Sequence, residues 1–121
     1  MSEEISELPP QVQQRLLRLQ QLQQTLQRVM TQKQQMELEL NEVEQALSEL
    51  ENLTDTAVIY KSIGSLLVKS KKTKVTKDLG ERKELLNLRT STLGKQEERL
   101  RSQVKDLQTK LQRDLRPISP S

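Results

Sequence analysis

The side chains able to do chemistry in this sequence are carboxylates, lysines, arginines, hydroxyls and one phenol, Tyr60; histidine and cysteine are absent. Catalysis would then need paired carboxylates, or a desolvated lysine, converging in a pocket. The charged residues run along the chain in blocks instead. Glu37, Glu39, Glu42, Glu44, Glu49, Glu51 and Asp55 form a stretch without a base, and Lys61, Lys69, Lys71, Lys72, Lys74 and Lys77 form one without an acid. There is no glycine-rich phosphate loop, and the nitrogen and sulfur ligands of a metal site are missing. The expectation is no enzyme, no cofactor and no metal.

The same inventory bears on setting. Without cysteine there are no disulfides, which fits a reducing compartment. No apolar run nears the roughly 20 residues of a membrane span, and Met1-Ser2-Glu3-Glu4 is acidic where a signal peptide is basic. A cytoplasmic protein with no membrane partner is expected. The net charge of +3 and a pI near 9.3 raise an RNA-binding arm built on Arg15, Arg18, Arg28, Arg101 and Lys105, but stacking aromatics are scarce. No nucleic-acid partner is expected.

What is left is apolar recognition, and the elements that would position it. Phe and Trp are absent among the 121 residues, which points to a thin apolar seam rather than a rounded core. Pro9-Pro10 is a rigid helix entry, and no Gly or Pro interrupts the chain from there to about Leu53. With Val12 at heptad position a, the a positions are Val12, Leu19, Leu26, Lys33, Leu40 and Leu47. The d positions are Leu8, Arg15, Leu22, Val29, Met36, Val43 and Leu50. This 3–4 alternation is that of a left-handed coiled coil, and the many glutamines avoid a and d, as a solvated helix face does. A helix over about residues 10–53 would be on the order of 65 Å long.

A second heptad run places Leu79, Leu86, Leu93, Leu100 and Leu107 at d, and Lys83, Thr90, Glu97, Val104, Leu111 and Ile118 at a. Thr76 is the expected N-cap of a helix over about residues 76–115, followed by a tail at 116–121 ended by proline. Gly80 and Gly94 both fall at e; local looseness is favoured there over close approach of another backbone. Folding the two helices antiparallel about Gly64 brings Leu22 near Leu107 and Val29 near Leu100. The same register places two polar exceptions together, Arg15 with Asp114 and Lys33 with Glu97.

Between the helices, at about residues 57–71, two β-rich runs flank Gly64-Ser65: Val58-Ile59-Tyr60-Lys61-Ser62-Ile63 and Leu66-Leu67-Val68-Lys69-Ser70. A two-residue connection with glycine first predicts a hairpin with a type II′ turn. Two strands alone are marginal in water, so Val58, Ile59, Tyr60, Ile63, Gly64, Leu66, Leu67 and Val68 are expected to join other chains in a shared sheet or barrel. At the helix ends Leu16, at e, and Leu115 exceed what a two-helix seam needs. They either finish the seam or, with Val12, Leu19, Leu111 and Ile118, offer an apolar surface to a partner. A contact of about 200 Å² there would contribute only about 5 kcal/mol before ordering costs, so useful affinity would need several chains acting together.

Leu8-Pro9-Pro10-Gln11-Val12-Gln13, Ala57-Val58-Ile59-Tyr60-Lys61, Ile63-Gly64, Leu67-Val68-Lys69 and Gln96-Glu97-Glu98, in this order between two coiled-coil arms, resemble the β-type subunit of prefoldin, particularly the archaeal form. The resemblance implies one prefoldin-like domain over 1–121 that is mainly α: a long antiparallel two-helix coiled-coil hairpin whose central β-hairpin joins an oligomeric β-barrel platform. It further implies a hexamer of two α-type and four β-type subunits acting as an ATP-independent holdase. Its coiled-coil tips would capture unfolded polypeptides and deliver them to a group II chaperonin. The competing expectation is a structural coiled-coil adaptor that oligomerises through its hairpin and binds no client.

Overall fold

The computed structural model describes residues 8–115, and Ile118 with the rest of 116–121 lies outside them. Helix α1 spans Pro10–Glu51, strands β1 (Ile59–Ile63) and β2 (Leu66–Ser70) follow, and helix α2 spans Lys72–Leu115. The fold is mainly α, two long helices around a central antiparallel β-hairpin. Its contacts cluster into two units, one of residues 8–32 with 93–115 and one of residues 33–92.

Helix α1 begins as its prolines dictate. The Pro9 carbonyl accepts the amides of Val12 (3.0 Å) and Gln13 (3.1 Å), and Pro10 occupies the first helical position, where its missing N–H costs nothing. The Gln13 side chain donates back to the Leu8 carbonyl at 2.6 Å. At its other end α1 tightens, with Asn52 N donating to the Glu49 carbonyl and Leu53 N to the Leu50 carbonyl. Lys72 Nζ then donates to the Leu53 carbonyl at 2.8 Å and lies 3.7 Å from Asp55.

Helix α2 starts at Lys72 rather than at Thr76. Its first carbonyl belongs to Lys71, which accepts the Val75 amide at 3.0 Å. The threonine-plus-acid signature misplaced this start because tertiary contacts of Lys72 hold the first turn instead, and that turn contains no acid.

The heptad seam is the core. Each a and d position of α1 is buried or half-buried, and the fully packed members are Val12, Leu22, Val29, Val43 and Leu50. On α2 they are Leu86, Leu93, Val104 and Leu111, with Leu86 0% exposed. In the unit of the helix termini the register is the expected one: Leu22 and Leu107 line one shallow groove, and Val29 and Leu100 another. Arg15 pairs with Asp114 across that seam. In the hairpin unit Arg82 Nε donates to Glu39 at 2.8 Å, joining the acidic stretch of α1 to the base of α2. Lys33 and Glu97 fall in different units, each with an ion-pair partner one turn along its own helix, Glu37 at 3.9 Å and Arg101 at 3.5 Å.

Gly80 and Gly94 meet no close neighbour: a Cβ built on either finds nothing within 4 Å. Close approach of another backbone is therefore not what these positions serve, and both sit inside the unbroken helix α2. Gly80→Ala and Gly94→Ala are therefore each expected to stabilise the fold by about 0.5–1 kcal/mol, read as a higher urea midpoint at unchanged m-value. A lower midpoint would mean that another chain occupies that space.

Candidate functional site

Two apolar surfaces stand out, one in each unit. The first is the hairpin. Its register pairs Ile59 with Ser70, Tyr60 with Lys69, Lys61 with Val68, Ser62 with Leu67 and Ile63 with Leu66. The Gly64-Ser65 connection is thus two residues long. Gly64 has φ +58°, and no other described residue has a positive φ, which matches the type II′ turn and its right-handed twist. Alternation puts Ile59, Ile63, Leu66 and Val68 on one face with Lys61, and Tyr60 and Leu67 on the other.

Neither face is covered. Leu67 is 71% exposed, and Val58, Tyr60, Ile63, Leu66 and Val68 are exposed as well. Only Ile59 among the predicted apolar members is half-buried. The hairpin is a two-stranded sheet in the described residues, so both outer edges keep unpaired backbone groups. Lys61, 4.0 Å from Asp78, ties the strand to the start of α2.

The second surface lies where the first turns of α1 meet the last turns of α2. An antiparallel pair sets the e edges of its two helices side by side, so Leu16 and Leu115 fall on the same flank. With Leu19 and Leu111 from the a layer they line an open groove of about 720 Å³, edged by Gln108 and Gln112. Leu115 is 48% exposed, whereas Leu111 at 4% belongs to the seam and forms the groove floor. The structure therefore brings together Leu16, Leu19, Leu111 and Leu115. It does not bring in Val12, which is 7% exposed and packed in the seam away from the groove. Ile118 lies outside the described residues.

Gln108 and Gln112 were missed by a reading that treated glutamine as solvated face. The signal was available, since Gln108 shares position e with Leu115 one heptad on. Their amides can donate to and accept from an extended peptide backbone lying over the leucines. Among the described residues no group of histidine, cysteine or carboxylate side chains could hold a metal ion, and no helix is long and apolar enough to cross a membrane.

These surfaces find their context in known proteins. A family model described as prefoldin subunit matches residues 13–116. The chain belongs to the prefoldin subunit family. It is 50% identical over 113 residues to a prefoldin subunit beta of Archaeoglobus fulgidus, covering 93% of this chain and 97% of that protein. It is 46% identical over 110 residues to a prefoldin subunit beta of Pyrococcus furiosus, covering 91% and 94%. The crystal structure of the prefoldin beta subunit from Thermococcus strain KS-1 superposes with a TM-score of 0.81 at 45% identity, covering 91% of this chain and 96% of that one. The beta2 subunit from the same strain shares the fold at a TM-score of 0.68 and 24% identity, covering 75% and 97%. Membership in the prefoldin family makes this chain a chaperone subunit that assembles with other prefoldin subunits.

Proposed function

We propose that this chain is a β-type subunit of an ATP-independent holdase that works in the cytoplasm. Its exposed hairpin joins α-type subunits and further β copies, two α and four β, in a β-barrel platform. Its helix tips capture unfolded polypeptides and hand them to a group II chaperonin. The groove of Leu16, Leu19, Leu111 and Leu115 is the observation that carries this reading. It is open, apolar at its floor and edged by amides, so it accepts many sequences and holds none tightly. Each contact is weak, and capture depends on several grooves on one platform engaging one client through effective concentration. Release then needs no nucleotide, because each arm lets go independently.

The test is an aggregation assay run beside a mass measurement. The chain, combined with an α-type prefoldin subunit, is expected to suppress light scattering of a chemically denatured protein diluted from denaturant, without nucleotide, at about one assembly per client. Native mass spectrometry of the same sample reads the stoichiometry. An intact assembly with undiminished scattering would leave the structural adaptor as the better reading.

A further inference from the structure

Charge in the hairpin unit is distributed against the helix dipoles. The last turn of α1 holds Glu49 and Glu51 and no base, although a helix C-terminus favours cations. The first turn of α2 holds Lys72 and Lys74 and no acid, although an N-terminus favours anions. Lys72 is answered within the chain by Asp55 and the Leu53 carbonyl, Lys61 by Asp78 and Glu39 by Arg82. Glu49, Glu51, Lys74 and Lys77 are all exposed and have no ion-pair partner among the described residues.

Heptad geometry explains why the acids of α1 do not answer these lysines. Lys74 falls at f and Lys77 at b, on the outer side of α2, turned away from the seam it shares with α1. A surface with separate unanswered acids and bases is complementary to itself. It also adjoins the exposed hairpin, so it is continuous with the surface assigned to assembly.

We propose that Glu49 and Glu51 of one chain pair with Lys74 and Lys77 of a second copy seated beside it. The inference rests on the assembly reading above and adds to it the identity of the neighbour and the sense of the contact. The hairpin supplies non-directional apolar area, which would tolerate several registers. The charges select the one in which an acidic helix end meets a basic one, since like charges set side by side repel.

A charge-swap experiment tests this with the full chain. The readout is the concentration at which the assembly formed by the chain, alone or with an α-type subunit, half dissociates in native mass spectrometry. Lys74→Glu with Lys77→Glu, and separately Glu49→Lys with Glu51→Lys, are each expected to raise that concentration on the order of tenfold or more at low salt, with less effect at high salt. Mixing the two variants, or placing all four substitutions in one chain, is expected to restore wild-type assembly, because every contact is again between opposite charges. Unaltered assembly in either double variant, or failure of both rescues, overturns the proposal. The hairpin reading is judged separately, by Ile63→Asp, whose effect charge swapping cannot rescue.

Discussion

Ile63→Asp and Val68→Asp are each expected to reduce the assembly to smaller species while leaving the helices intact. Ile63 pairs with Leu66 and Val68 with Lys61, and all four point to one face of the hairpin. Ile63 is 52% exposed and Val68 43% exposed in the single chain, so neither is needed to pack that chain. Burying such side chains against neighbouring hairpins contributes about 1.5–3 kcal/mol each. An aspartate in the same place loses that gain and adds the cost of desolvating a charge. Repeated at each copy's contact, the loss exceeds what an assembly held by two short strands can absorb. Native mass spectrometry should show monomers or small oligomers, with helical circular dichroism near wild type. An unchanged mass would remove the hairpin from the assembly mechanism.

The second large effect is expected at the groove. Leu16→Ser combined with Leu115→Ser should cut protection of a denatured client without changing the assembly's mass. Losing about 2 kcal/mol of apolar contact per tip weakens each arm about thirtyfold, and the loss compounds when several arms must hold one client. Leu111 is a poor choice for this test. At 4% exposed it packs the seam, and truncating a leucine so placed costs about 2–5 kcal/mol of stability. Leu17→Ser is the matched control: Leu17 is 61% exposed on the outer face of α1 and lies outside the groove. Equal loss of protection from Leu17→Ser would show that capture is a property of general surface greasiness and not of this groove.

Most of the fold was legible because it follows from periodicity. A heptad repeat commits a helix to bury one stripe, and the expected a and d residues from Leu8 to Leu50 are the ones the structure covers. The turn was equally readable, since only glycine adopts the positive φ of Gly64 without strain. The start of α2 was not. Lys71 and Lys72 carry no local capping signal, and what fixes them is the reach of Lys72 to the Leu53 carbonyl, 19 residues away in sequence.

The groove was half legible. Surplus leucines at e marked its flank and Gln108 shares that position, but the place of Gln112 on the rim depends on how two helices face each other. The exposure of Leu38 and Leu88 on outer helix faces is explained by nothing in the structure.

Tyr60 gives the molecule an unusual optical separation. It is the sole aromatic residue in 121, and it sits on the strand pair, largely open to solvent. Near-ultraviolet absorbance and intrinsic emission therefore arise from the hairpin alone, whereas the far-ultraviolet signal comes overwhelmingly from the two helices. The same cuvette can watch strands find their neighbours in one wavelength band and helices melt in another, with no dye attached.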